Sequence, residues 1–133
     1  YPAEEWLNQS IFAVKQDTKI LDQYILVKGA ESLRTSFDKH ELDPESIDHV
    51  LAHISSGYFK EGLKNEFANV GLDFPWEKWF YNLSEVGNIG AGSIFIAVEQ
   101  LMNSGKLKKG EKILLCVPES GRFAYSCALL TVC

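Results

Sequence analysis

The chain has 133 residues, of which 46% are apolar and 12% aromatic, enough to bury one sizeable core in a single domain. Its 13 basic and 18 acidic side chains give a net charge of -5, which argues against the phosphate-tracking surface that nucleic acid requires. No apolar run approaches the ~20 residues of a membrane-spanning helix, and Tyr1-Pro2-Ala3-Glu4-Glu5-Trp6 lacks the basic and apolar regions of a signal peptide, so a cytoplasmic protein with neither nucleic acid nor membrane as partner is expected.

The first predicted element is a helix from about Thr18 to Phe37, where Leu26, Ala30, Leu33 and Phe37 recur at helical spacing. Gly29 inside it weakens the pattern. The turn signal Leu42-Asp43-Pro44-Glu45-Ser46 leads to a short buried strand over Ile47 to His53, with His53 at its carboxyl end. His40 and His49, which flank that polar turn, are expected to be solvated. A second helix follows from Gly57 to Val70, with Phe59, Leu63, Phe67 and Val70 on one stripe and Gly71 as its C-cap. The aromatic stretch Asp73 to Tyr81 should cover the core before a short strand, since Pro75 excludes a continuous helix.

The turn Gly87-Asn88-Ile89-Gly90-Ala91-Gly92 feeds a third helix, about Ala91 to Asn103, stopped by Ser104-Gly105. Strands are then predicted over Lys112 to Val117 and Phe123 to Val132; the short loop Pro118-Glu119-Ser120-Gly121 between them implies an antiparallel pair. Strands alternating with helices and ending in a hairpin describe an α/β layer with a mixed sheet.

The glycine-rich turn reads G-x-x-G-x-G, which matches neither the dinucleotide fingerprint nor the P-loop. Its small residues are explained equally by a tight turn that lets the next helix pack close, and Asn88 is then a candidate donor only. His53 lies 35 positions earlier, at a strand end, and ligands of open α/β layers collect beyond the carboxyl ends of strands. A histidine and an asparagine can both donate to one oxygen, while neither is a strong nucleophile here. Cys116, Cys127 and Cys133 are odd in number and show no C-x-x-C spacing, so buried free thiols and no metal site are expected. Lys106, Lys108 and Lys109 read as a solvated loop. Lys60 and Lys64, one helical turn apart, are placed to meet an acidic partner at a pocket mouth, although an exposed helix face explains them as well.

Taken in order, three blocks resemble the carboxyl-terminal half of β-ketoacyl-acyl-carrier-protein synthase III, in the thiolase-like superfamily. They are Ile47 to Ser56 around His53, Gly87 to Ser93 around Asn88 with its helix and the Gly105 to Gly110 loop, and the closing strands through Ser120-Gly121-Arg122-Phe123. The resemblance implies that residues 1–133 form a thiolase-like half-domain, a mixed five-stranded sheet with helices packed on it. It also implies that the nucleophilic cysteine belongs to an amino-terminal half absent from this chain. His53 and Asn88 match the pair that binds the thioester carbonyl of a malonyl-type extender as carbon dioxide leaves, and Gly121 matches the backbone donor to the acyl-cysteine carbonyl. Ser56, together with Lys60 and Lys64 of the following helix, is the expected carrier or substrate contact. Acyl carrier protein or coenzyme A thioesters are the implied partners, with a homodimer in the full-length enzyme and no cofactor.

The sequence departs from the family pattern in several places. His53-Ile54-Ser55-Ser56 stands where the family commonly has His-Gln-Ala-Asn, Tyr58 where an arginine is often found, and Pro118-Glu119-Ser120-Gly121-Arg122 where several glycines are usual. These changes imply altered pantetheine contacts, with Glu119 and Arg122 expected to alter the pocket, and the aromatic stretch Phe74 to Tyr81, longer than in typical members, implies a different substrate choice. None of the three cysteines matches the nucleophile position, so the chain alone is expected to be inactive in condensation. Related synthases that build polyketides or transfer acyl groups without decarboxylation share the fold. The alternative from a different class is a non-catalytic thiolase-like subunit that binds a carrier protein or a partner synthase.

Overall fold

The computed structural model describes residues 2–13 and 15–133. In chain order the elements are α1 (Ala3–Asn8), α2 (Thr18–Lys39), β1 (His49–Ala52), α3 (Phe59–Asn69), α4 (Leu83–Val86), α5 (Ser93–Asn103), β2 (Lys112–Glu119) and β3 (Ala124–Thr131). Short 3-10 turns occupy Pro44–Ser46, Trp76–Lys78 and Gly90–Gly92.

Helix α2 starts where the Asp17 carboxylate accepts from the backbone N–H groups of Lys19 (3.0 Å) and Ile20 (3.1 Å), satisfying donors that a first helical turn leaves open. Its buried stripe is Ile25, Ala30, Leu33 and Phe37, with Leu26 half-buried beside them. Gly29 has a packing reason: a Cβ there would come 3.0 Å from the Tyr125 ring, and the Tyr125 hydroxyl donates to the Ile25 carbonyl at 2.8 Å. Strand β3 therefore lies directly against α2. Helix α3 approaches α2 as closely, since a Cβ on Gly62 would fall 2.7 Å from Leu26 Cδ1. It ends as expected at Gly71, whose φ of 78° lets the Leu72 N–H close back on the Phe67 carbonyl at 2.8 Å.

The sheet runs in the order β1-β2-β3, with β1 and β2 parallel and β2 and β3 antiparallel. Side chains alternate across it. Val50, Ala52 and Leu114 join Ala30, Leu33, Phe37, Leu63 and Phe67 in a core beneath α2 and α3. Leu51 and Ile113 face the other way and pack on Ile94, Ala97 and Leu101 of α5. The result is an α/β/α layering in which every strand residue is assigned a face by its parity.

Four expectations are corrected. The described residues contain three strands, where five were expected, and the short strand expected after Tyr81 is replaced by helix α4, Leu83–Val86, while the aromatic stretch Asp73 to Tyr81 itself makes one parallel bridge, between Val50 and Trp79. Pro75 and the Trp76–Lys78 turn take up that segment, and the Trp79 indole N–H donates to the Phe74 carbonyl at 2.9 Å. The Phe80 N–H donates to the Val50 carbonyl of β1 at 3.0 Å. His49 is not solvated: it lies in β1, half-buried, with its Nε2 2.8 Å from Glu111 Oε2. Of the cysteines, Cys127 and Cys133 are exposed and only Cys116 is partly buried, because Cys127 faces the open cavity and Cys133 follows the end of β3. No helix among the described residues is long and apolar enough to cross a membrane.

Candidate active site

At the carboxyl end of β1 the chain enters a cavity of about 500 Å³. Its walls come from α2, α3, the β2–β3 hairpin, the segment Ala52 to Ser55 and the turn holding Asn88 and Gly90. His53 and Asn88, brought together from the ends of different elements, both line it. The His53 backbone N–H donates to the Cys116 carbonyl at 2.8 Å, extending the β1–β2 ladder by one residue and fixing where the side chain leaves the sheet. Its ring has no hydrogen-bond partner among the described residues. Burial lowers its pKa from the ordinary 6.5, because a charged imidazolium is poorly solvated there; at neutral pH the ring is a neutral, single-proton donor.

Asn88 follows Gly87, whose φ of 77° turns the chain out of α4. The Asn88 Oδ1 accepts from the Gly90 N–H at 2.9 Å, and Nδ2 donates to the Ser55 carbonyl at 3.4 Å. Serving as acceptor inside its own turn commits the amide oxygen and orients the nitrogen toward the His53 segment. One N–H of that nitrogen remains for a ligand. The Ser93 hydroxyl, accepting from the Ile89 N–H at 3.1 Å, ties the turn to the start of α5. Two neutral donors on a mostly apolar wall suit an oxygen that gains negative charge during reaction, since such donors need no reorganisation.

The other anticipated residues lie elsewhere. Gly121 sits outside the cavity wall in the turn between β2 and β3, and its N–H donates to the Glu119 carboxylate, which also accepts from Arg122 N–H at 3.0 Å. The Ser56 hydroxyl is exposed and accepts from Tyr58 N–H at 3.2 Å. Lys60 Nζ stands 5.1 Å from the Trp76 ring centre and 4.8 Å from that of Tyr81, a cation–π arrangement. Lys64 Nζ is 2.7 Å from Asp73 Oδ1 and 5.8 Å from the Trp76 ring centre. Both lysines belong to an aromatic cluster in which Trp79 stacks on Phe67 and Tyr81, rather than to the cavity.

Glu119, expected from its loop to alter the pocket, lines the cavity, and so do three residues not anticipated from the sequence: Tyr125, Cys116 and Cys127. Their signal lay in the hairpin register, where Cys116 pairs with Cys127 and Pro118 with Tyr125. Burial, with a contribution from Cys127, pushes the Cys116 thiol well above the usual range, so the neutral thiol is its resting form at neutral pH.

An α/β half-domain of the thiolase-like class is what the layering, the strand-end histidine and the glycine-turn asparagine define together. The sequence model of the 3-oxoacyl-[acyl-carrier-protein (ACP)] synthase III C-terminal family matches residues 37–132. The chain belongs to that family. A β-ketoacyl-[acyl-carrier-protein] synthase III from Koribacter versatilis is 27% identical over 119 residues, which cover 90% of this chain and 34% of that protein. Its counterpart from Clostridium perfringens is 30% identical over 127 residues, covering 87% and 37%. Among solved structures, the 3-oxoacyl-[acyl-carrier-protein] synthase III of Aquifex aeolicus superposes with a TM-score of 0.72 at 27% identity, over 88% of this chain and 36% of that one. An OleA structure from Xanthomonas campestris superposes with a TM-score of 0.70 at 26% identity, over 87% and 32%. The chain thus spans about a third of the length of these relatives.

Proposed function

We propose that this chain contributes the His53 and Asn88 donors to a decarboxylative condensing enzyme of the synthase III type. In this reading the two side chains hold the thioester carbonyl oxygen of a malonyl-type extender. Loss of carbon dioxide leaves an enolate whose negative oxygen they stabilise. The enolate carbon then attacks an acyl-cysteine carried by an amino-terminal half, forming the carbon–carbon bond and releasing the cysteine thiolate. Acyl carrier protein or coenzyme A thioesters are the substrates, in fatty acid or polyketide-type synthesis. The observation that carries the reading is the convergence of a neutral, half-buried His53 and an internally oriented Asn88 amide on one cavity. In the natural protein containing this sequence, His53→Ala or Asn88→Ala should slow decarboxylation of a malonyl thioester by about 100-fold or more, the loss typical of an oxyanion donor. Undiminished decarboxylation in both variants would sink the proposal.

One observation favours a second reading. The Gly121 N–H, the anticipated donor to the acyl carbonyl, is bonded to Glu119. A thiolase-like subunit that binds a carrier protein or a partner synthase without catalysing condensation would tolerate that arrangement. If Glu119→Ala leaves the natural protein without condensing activity on any malonyl thioester, and His53→Ala leaves carrier binding intact, the subunit reading stands. Condensation that requires His53 excludes it.

A further inference from the structure

We propose that Cys116 and Cys127 form a thiol–disulfide exchange pair in the cavity wall, a latch that takes a small disulfide of the glutathione class as its oxidant. The two residues are direct partners in the antiparallel β2–β3 ladder. Such ladders alternate between pairs that exchange backbone hydrogen bonds and pairs that do not. The Val132 N–H donates to the Glu111 carbonyl at 2.9 Å, marking that pair as hydrogen-bonded. The register then runs unbroken from Lys112–Thr131 to Glu119–Ala124. Cys116 lies an odd number of steps from Glu111, so Cys116–Cys127 is a non-hydrogen-bonded pair. Pairs of that kind have the closer side chains, with Cα atoms about 4.5 Å apart, inside the roughly 4.4–6.8 Å span that a disulfide accepts. Opposed residues share a face of the sheet, and both cysteines line the cavity with free thiols.

The environments differ in a way that orders the chemistry. Cys127 is exposed and Cys116 is partly buried, with its thiol pushed up by burial. Cys127 therefore attacks first: its thiolate displaces one thiol from the small disulfide and leaves a mixed disulfide on Cys127. Cys116 then attacks the Cys127 sulfur as its thiolate, giving its proton to solvent and releasing the second small thiol; burial of Cys116 makes this the slower of the two steps. Two protein thiols are oxidised and one small disulfide is reduced to two thiols. The new bond would tie β2 to β3 beside the Pro118-Glu119-Ser120-Gly121 turn. It would also stiffen the Cys116 backbone, whose carbonyl holds the His53 N–H. This inference stands independently of the condensing-enzyme reading.

The test equilibrates the natural protein containing this sequence in mixtures of reduced and oxidised glutathione, traps free thiols with an alkylating agent, and maps the linkages by proteolysis and mass spectrometry. A Cys116–Cys127 link that grows with the oxidised fraction and is reversed by dithiothreitol is expected, and Cys133→Ser should retain it. Cys116→Ser should stop at a glutathione adduct on Cys127, and Cys127→Ser should leave Cys116 free. Recovery of Cys116 as a free thiol at every oxidised fraction, in protein whose circular dichroism is unchanged, overturns the proposal. So does a Cys127 link to Cys133 or to a second chain in place of Cys116. The unsubstituted protein and Cys133→Ser decide the matter even if the Cys116 variant fails to fold.

Discussion

Replacing Gly29 by alanine sets two effects of similar size against each other. Alanine in a helix interior is favoured over glycine by about 0.8–1.0 kcal/mol, and position 29 lies inside α2. The added Cβ, however, meets Tyr125 Cε1 at 3.0 Å, so the ring must give by a few tenths of an ångström. It is not free to do so, because its hydroxyl donates to the Ile25 carbonyl one helical turn away at 2.8 Å. Displacing the ring weakens a hydrogen bond whose net value is about 0.5–1.5 kcal/mol. Gly29→Ala in the otherwise unchanged chain should therefore be neutral to slightly destabilising. In a Tyr125→Phe background the ring is untethered, and the same substitution should stabilise by about 0.5–1 kcal/mol. Urea unfolding of the four variants gives the coupling energy directly. Stabilisation by the full helical increment in both backgrounds would refute the claim that the Tyr125 tether sets the distance between α2 and β3.

Phe67→Ala should cost about 3–5 kcal/mol, since the ring is 2% exposed and packs on Phe74 and Trp79; a midpoint shift well under half of that in urea would mean the aromatic cluster is loosely packed. The hydrogen bond from His49 holds the Glu111 carboxyl below the usual carboxylate range. A depressed carboxylate stabilises the fold above its unfolded pKa and loses that contribution as pH falls through the folded value, so Glu111→Gln should flatten the acid limb of a stability–pH curve below about pH 4.5. His53 adds a separate slope: with its folded pKa lowered from 6.5, the unfolded chain binds the proton first, and stability should decline as pH falls below 6.5 toward the folded value. His53→Ala should remove that slope, as thermal melts across pH 5–7 would report. Glu119→Ala should release the Gly121 and Arg122 amides and raise their hydrogen exchange, while amides of α5 stay protected; equal exchange before and after would show that the carboxylate does not hold the turn.

Helices α2, α3 and α5 were legible because an amphipathic stripe is a local property: Ala30, Leu33 and Phe37 of α2 and Leu63 and Phe67 of α3, which the spacing selected, are all buried. The hairpin was legible for the same reason, since a short loop between strands leaves little but antiparallel pairing. The short strand expected after Tyr81 was not. A strand exists only if its backbone finds a partner, and Leu83–Val86 instead satisfies its own backbone as α4, with the Val86 N–H donating to the Asn82 carbonyl and the Gly87 N–H to the Leu83 carbonyl. Within the site, the positions of His53 and Asn88 followed from element ends. The use of the Gly121 amide by Glu119, and the His49–Glu111 contact across 62 positions, follow from side-chain geometry that composition does not encode. Lys60 and Lys64 are instructive in the same sense: helical spacing placed them on one face, but the rings of Trp76 and Tyr81 determine what that face meets.

The openness of β3 has a practical consequence for handling the chain. Ala124–Thr131 is eight residues long and contains no charge, no proline and no glycine, and it forms an outer edge of the sheet. An uncharged strand edge of this length is a template on which another copy can add in register. Preparations of the isolated chain should therefore scatter more light as concentration rises. A lysine introduced at exposed Ser126 should suppress this by placing a desolvation cost on every added strand.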